Sequence, residues 1–442
     1  MTQPSLLSRL LRLAGPVAVA RLGIMAMGVA DTVIVGQLAP KELSHLALGW
    51  APTGVFLVGA IGLLTGVQVL TARAIGAGDR AHAGAILRRG LLIGWIAGLA
   101  AVAILAVAAE PLLRFFGIAP PLAAGAAKVA VVLGLSIPLY ITFVAGSYFL
   151  EAISRPNAGL VVMWAANLVN IALNLWLVPE HGAVGSAWAT VGARVFLAAA
   201  LMAWIFLALR QAGLGLHQPA PVTAPGVRAL LVVGAAAAVS QVAEAGAFSA
   251  MTVIAGRIGE TAVAAFQIAL NLLALVFMIA MGVAAATQVL VSEFTGAKDP
   301  AQAARAGWLG LTVNTVAMVA AGIVLWAFAA PIARAYTADA ELIAALVALA
   351  PLSALILAPD GGQVVAAAAL RGRGDNWFPT ASHILAYVLI LPPLAFWLAE
   401  IQGRGVGGIL EAVLIASVVS VGVLMARFAW LTRRPGSSPL RA

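Results

Sequence analysis

Residues 31–157 recur at residues 251–377 with a constant offset of 220 and no gap. Thr32-Val33-Ile34 with Gly36 returns as Thr252-Val253-Ile254 with Gly256, and Gln68-Val69-Leu70 as Gln288-Val289-Leu290. Gly76-Ala77 with Asp79 returns as Gly296-Ala297 with Asp299; Pro111, Arg114 and Leu150 meet Pro331, Arg334 and Leu370. A duplication this long folds as two related bundles. In a very apolar chain, internal duplication is the mark of a transporter-like membrane architecture.

The medium follows from composition. Hydrophobic residues make up 63% of the 442 and charged residues 9%, against about 45–50% and about 25% in a soluble domain. No aqueous fold hides that much apolar side chain, so the solvent is lipid. The net charge of +9 resides in short turns between apolar runs, not on a basic helix, and nucleic acid is not expected as a partner. With no cysteine, disulfides, thiolate metal sites and a cysteine nucleophile are excluded. Arg9 and Arg12 precede an apolar run without a small-residue cleavage site, which reads as a first membrane helix serving as its own insertion signal.

Twelve apolar runs are long enough to cross about 30 Å of hydrocarbon: 14–38, 47–71, 90–111, 122–149, 158–178 and 184–209, then 229–256, 262–291, 306–330, 342–370, 378–399 and 405–430. They are too long, and too uniform, for barrel strands. The expectation is an all-α integral membrane protein of twelve transmembrane helices in two six-helix bundles. The first lobe is 1–209, a cytoplasmic linker 210–228, the second lobe 229–432 and a cytoplasmic tail 433–442. With both termini inside, seventeen arginines and lysines fall in cytoplasmic segments and five (Lys41, Arg114, Arg257, Arg334, Arg404) outside, as the positive-inside rule requires. Arg21, Lys128 and Arg194 fall within spans and are expected near helix ends or snorkelling. Six spans per half make the repeat parallel, with its axis along the membrane normal.

Three carboxylates lie deep in spans. Asp31 is ten residues from both Arg21 and Lys41, near mid-membrane at a rise of about 1.5 Å per residue. Glu244 lies between Arg228 and Arg257, and Asp360 between Glu341 and Arg371. A charge at such depth costs at least about 2.5–3.5 kcal/mol and normally faces a cavity; the plainer alternative is a protonated acid clipping two helices together. The repeat maps Glu244 onto Ile24, Asp360 onto Tyr140 and Asp31 onto Met251. The scaffold is duplicated and the acids are not, which argues for division of labour over a shared structural role.

Asp360 sits in Ala358-Pro359-Asp360-Gly361-Gly362, where proline and glycines are expected to weaken the helix and free carbonyls for an ion, or else to give a simple packing kink. Asn167, Asn170 and Asn174 form a stripe on the fifth span, able to line a polar pocket beside Asp31 or to act as interhelical glue. Gln267 and Gln288 are possible additions in the eighth span; Gln288 has Gln68 as its repeat partner, which favours structure. Glu411 is shallow, and the lone His383 reads as a helix-interface residue.

At these residues the chain resembles the multidrug and toxic compound extrusion (MATE) transporters, in their bacterial NorM-like branch, over roughly residues 10–430. Gly28-Val29-Ala30-Asp31-Thr32 through Gly36 looks like the family's first-helix aspartate motif, and Gln241-Val242-Ala243-Glu244 through Phe248 its seventh-helix glutamate region. Residues 264–271 (Ala264 to Asn271) resemble the eighth-helix motif, Leu370-Arg371-Gly372 with Gly374-Asp375 the tenth-helix exit, and Asp360-Gly361-Gly362-Gln363-Val364-Val365 also fits. Phe266 stands where many relatives have histidine, and Asn174 where another branch has aspartate. The resemblance implies a two-lobed exporter exchanging Na+ or H+ for cationic amphipathic compounds. It implies that Glu244 and Asp360 form the cation-coupling site, ligating Na+ if sodium is the ion, with Asp31, Asn170 and Asn174 as the polar pocket of the first lobe.

The corresponding expectations are a monomeric, multi-pass protein of the bacterial inner membrane, surrounded by lipid, with no cofactor beyond the coupling ion. A flippase for a lipid-linked precursor is the alternative; it calls for cationic residues to hold pyrophosphate, whereas the deep charges here are acidic. An enzyme is not expected: there is no Ser/His pair, no His-Glu-x-x-His signature and no phosphate loop.

Overall fold

The computed structural model describes residues 5–433, so the expected tail lies outside the described residues apart from Arg433. These residues form helices and short connections, with no strand among them. The first half contains α1 (Leu6–Leu38), α2 (Leu43–Gly76), α3 (His82–Phe115), α4 (Pro120–Ala152) and a helical stretch Asn157–Ala208. The second contains α7 (Val227–Ile258), α8 (Glu260–Gly296), α9 (Pro300–Ala327), α10 (Ala340–Arg373), α11 (Trp377–Ile401) and α12 (Gly405–Arg433), with a short helix Ala329–Tyr336 before α10. Eleven of these stretches are long and apolar enough to cross a membrane.

The twelfth is inside the longest. A straight helix of 52 residues would reach about 78 Å, more than twice the hydrocarbon thickness. The chain avoids this at Gly182, whose φ of 54° and ψ of −134° break the helix into α5 (157–181) and α6 (183–208). The break is capped from elsewhere: the Ala183 amide donates to Glu42 Oε2 at 2.7 Å, and a Cβ on residue 182 would run into that carboxylate. Twelve spanning segments result, as expected.

Contacts divide the chain into one unit of residues 19–238 and another of residues 1–18 with 239–442. In the first, Leu64, Val67, Phe149, Leu150 and Leu197 form the core. The start of α7 belongs to this unit, with Gly234 so close to the Leu63 carbonyl that no side chain fits between them. In the second, Leu273, Met318, Ile356, Tyr387 and Val413 form the core. The start of α1 belongs here through Arg9, which donates to both Glu293 oxygens at 2.9 and 2.7 Å.

Two local features position the sites. The interruption expected at 358–362 is absent: α10 runs unbroken from Ala340 to Arg373 through Pro359. Gly361 and Gly362 serve close packing, since a Cβ there would press on Asn314, Met318 and Val421. In α11 the irregularity is larger. Pro392 and Pro393 lack amide donors, and the helix widens to π-type turns over Ile384–Ile390 and Trp397–Ile401, a distortion frequent at functional sites.

Gly182→Ala is expected to destabilise the protein, because an L-residue in this backbone region carries about 1–3 kcal/mol of strain and its Cβ displaces Glu42. Thermal unfolding in detergent should show a lower midpoint than the parent; an unchanged midpoint would mean the α5–α6 break tolerates a side chain.

Candidate functional site

Asp31 is fully buried on α1. Its Oδ1 accepts from Asn174 Nδ2 at 2.7 Å and its Oδ2 from Thr190 Oγ1 at 2.9 Å. Asn170, also fully buried, adjoins the same carboxyl. The structure thus brings together Asp31, Asn170 and Asn174, while Asn167 turns away to donate to the Gly23 carbonyl at 3.0 Å. Thr190 was missed from the sequence. It lies with Ser186 and Arg194 at i, i+4 and i+8 on α6, a polar stripe that was legible as one helix face.

The Thr190 hydroxyl has one proton and two acceptors in reach, Asp31 Oδ2 at 2.9 Å and the Ser186 carbonyl at 3.2 Å. If Asp31 is ionised, the hydroxyl donates to it. If Asp31 is protonated, the carboxyl donates and the hydroxyl turns to Ser186. The Thr190 hydroxyl therefore has a partner in either state of the acid.

The second cluster is built around Asp360 on α10. Its Oδ1 accepts from Tyr387 at 3.0 Å, from Ser417 Oγ at 3.2 Å and from Gln363 Nε2 at 3.3 Å. The same Gln363 amide lies 3.5 Å from Glu244 Oε1 and also donates to the Tyr387 hydroxyl. One side chain thus links both expected acids. Gln363 is itself oriented by Ser420, which donates to its Oε1 at 2.9 Å. Arg371 is the cation whose field reaches Glu244, and it donates to Ser240 Oγ at 2.9 Å. Tyr387, Ser417 and Ser420 were not singled out from the sequence; the two serines at i, i+3 on α12 were the available signal.

The other candidates fall elsewhere. Gln267 donates to Thr252 at 3.1 Å, and the buried Gln288 Nε2 has no partner among the described residues. Neither bonds to the Glu244–Asp360 cluster. Glu411 pairs with Arg404 at 2.6 Å near the end of α12, and His383 is buried against the Tyr387 ring.

One charge differs from the sequence expectation and another escaped it. Arg194 does not snorkel: it is 5% exposed, donates to Ser136 Oγ at 2.7 Å and stands over the rings of Tyr140 and Trp50 at 4.6 and 5.5 Å. Glu151, not singled out from the sequence, lies at the end of α4, where it is buried and accepts from Gln68. Lys128 is exposed, and Arg21 is half-buried over the Tyr148 ring at 5.4 Å.

No group of three or more His, Cys, Asp or Glu poised for a metal occurs among the described residues. The Asp360 cluster instead offers carboxylate and hydroxyl oxygens, groups suited to a hard monovalent cation or a proton.

A family model described as MatE matches residues 16–176 and 236–397. The two matches begin 236 − 16 = 220 residues apart, the offset of the internal repeat. The chain is 42% identical over 435 residues to a probable multidrug resistance protein NorM of Caulobacter vibrioides, covering 97% of this chain and 92% of that one. It is 30% identical to the multidrug resistance protein PmpM of Pseudomonas aeruginosa, covering 96% and 92%. Among solved structures, an outward-facing multidrug resistance MATE transporter of the MOP superfamily superposes with a TM-score of 0.88 at 20% identity over 98% of each chain.

Asp31→Asn reproduces the protonated arrangement, its amide donating to Thr190 while its oxygen accepts from Asn174. Its unfolding temperature should stay close to the parent's, with transport impaired. Asp31→Val leaves Thr190 its Ser186 acceptor but strands one of the two Asn174 Nδ2 hydrogens, the other staying on the Asn170 carbonyl. At about 1–3 kcal/mol for that donor, the variant should unfold at a clearly lower temperature. Equal stability of the two variants would show that these hydrogen bonds do not hold the site.

Proposed function

Because the chain belongs to the MatE family, in its NorM-like branch, we propose that it is a secondary multidrug exporter, exchanging Na+ or H+ for cationic amphipathic compounds by alternating access. Multidrug resistance is what the names of its relatives state. The coupling site in this reading is Glu244 with Asp360.

One observation supports that assignment above others: a single amide, Gln363, links the two buried acids. Two ionised carboxylates in one low-dielectric cluster repel each other strongly. Arg371 offsets one of them, which leaves −2 + 1 = −1 if both are ionised. One monovalent cation restores neutrality. The ion drives transport only if the inward- and outward-facing states hold it with different affinity, since equal affinity shifts nothing. Hydroxyls from α11 and α12 complete the cluster, so any movement of those helices against α10 changes the donor set and with it the affinity.

A flippase for a pyrophosphate-linked lipid fits less well. The cavity of residues 19–238 presents one ionised side chain, Arg194, among its lining residues, whereas a diphosphate is ordinarily held by several cations. The location in this reading is the bacterial inner membrane with both termini cytoplasmic.

Glu244→Gln and Asp360→Asn should each abolish gradient-driven efflux of a fluorescent cation from proteoliposomes under separately imposed sodium and proton gradients. The double variant should be little worse than either single one, because the two acids act as one site. Ion-dependent efflux surviving in the double variant would move coupling to Asp31.

Reporters fused after Arg80 or Arg305 should read as cytoplasmic, and after Lys41 or Arg334 as external. The same side for Arg80 and Lys41 would refute the twelve-span orientation.

A further inference from the structure

In the unit of residues 1–18 with 239–442, three oxygens converge on one nitrogen. Gln363 Nε2 lies 3.5 Å from Glu244 Oε1 and 3.3 Å from Asp360 Oδ1, and it donates to the Tyr387 hydroxyl. An amide nitrogen carries two hydrogens, so it cannot satisfy all three acceptors at once. Both carboxylate distances are longer than the usual range of about 2.7–3.2 Å. The two acids are half-buried, so an ion can reach them, whereas Gln363 is fully buried behind them. The partial positive charge of the amide thus stands where a monovalent cation would meet both carboxylates. The repeat puts Phe143 at the equivalent position of the first half, so this amide accompanies the paired acids and is not required by the shared scaffold.

The other end of the amide is held by a group that can reverse its part. Ser420 Oγ donates to Gln363 Oε1 at 2.9 Å. A hydroxyl both donates and accepts, so it serves an amide oxygen or an amide nitrogen. The torsion that exchanges the two ends joins an sp3 to an sp2 carbon, and such torsions are broad and roughly two-fold. While both acids are ionised the amide presents its nitrogen, because its oxygen would otherwise face two carboxylates. A cation between the acids reverses that preference. The amide hydrogens would then face like charge, whereas the amide oxygen is a ligand of the kind a hard cation takes.

We propose that Gln363 is a place-holder for the coupling cation. Its amide nitrogen stands between Glu244 and Asp360 while the ion is away. When the ion binds, the amide turns over, so that Oε1 joins the ligands and Nε2 passes to Ser420. The inference rests on the reading of Glu244 and Asp360 as the coupling site, but it concerns binding and is tested on purified protein without a gradient. Proton-driven efflux in a protein with no response to sodium would end this inference and leave the export reading standing.

Sodium chloride is the probe, choline chloride at equal ionic strength is the blank, and the readout is the unfolding midpoint of the full-length protein in detergent. The parent's midpoint should rise with Na+ to a plateau, which gives an apparent Kd. Gln363→Lys tethers an ammonium in the same place; it should abolish the response to Na+, with a midpoint in choline no lower than the parent's. Gln363→Met keeps the length of the side chain without either end of the amide, and should bind Na+ about tenfold more weakly for want of one charge-assisted contact. Ser420→Ala removes one hydrogen bond from both orientations, so Na+ affinity should stay within about threefold of the parent's. A parent that does not respond to Na+ would overturn the proposal, and that measurement requires no variant to fold. So would the parent's response surviving in Gln363→Lys, which would place the ion elsewhere, or the parent's affinity surviving in Gln363→Met, which would make the amide a bystander. Tighter Na+ binding by Ser420→Ala would also overturn it, because an amide that never turns would lose support in the ion-free state alone.

Discussion

Every charge buried in lipid must be balanced within reach of its own helix bundle, and the arrangement of the sites follows from that requirement. In the unit of residues 19–238 the balance closes internally. Arg194 lies in the field of Asp31, and Arg21 in that of Glu151. In the other unit Arg371 faces two acids, Glu244 and Asp360, bridged by Gln363. The deep acids named in the first unit each have an arginine in reach, whereas the two of the second share one. This asymmetry is the physical ground on which the proposal places ion coupling in the second unit.

The repeat makes the asymmetry specific. Position 140 and position 360 are equivalent by the 220-residue offset. In the second unit that position holds the acid at the centre of the hydroxyl cluster; in the first it holds Tyr140, whose ring lies 4.6 Å beneath Arg194. Position 151 and position 371 are likewise equivalent, and both are buried, but one is glutamate and the other arginine. The glutamines at 68 and 288 persist in both halves; Gln68 serves Glu151, while Gln288 has no acid beside it in the bond network. Duplication preserved the helices and their packing. At one equivalent pair, 151 and 371, the sign of the buried charge is reversed.

Much of this was legible in the chain. Hydropathy located all twelve spans, including the division near 182, because it depends on runs of residues rather than on partners. Depth counted from flanking arginines and lysines isolated Asp31, Glu244 and Asp360, and the asparagine stripe led to Asn170 and Asn174. What escaped was what depends on reach or on a third helix. Arg194 is long enough either to snorkel or to turn inward, and only the positions of Ser136, Tyr140 and Trp50 decide between them. Glu151 is near a helix end in sequence but beneath Gln68 in space. Tyr387 meets Asp360 from a helix whose register is altered by π-type turns, which no regular 3.6-residue count anticipates. The helix break expected at Pro359 failed for the complementary reason: Gly361 and Gly362 are occupied in packing, and the neighbouring side chains hold the helix continuous.

The Thr190 hydroxyl joins these threads. It stands one helical turn before Arg194 on α6 and reaches both Asp31 and the Ser186 carbonyl, so it keeps a partner as the acid gains or loses a proton. The charge on Arg194 does not change in that process, but its balance does. With Asp31 ionised the pair is neutral; with Asp31 protonated the guanidinium alone sets the field at the cavity wall. A state change at Asp31, which is not part of the cavity wall, would then alter the field at that wall. The geometry thus couples the charge of Asp31 to that of Arg194 within one bundle, through adjacent turns of one helix.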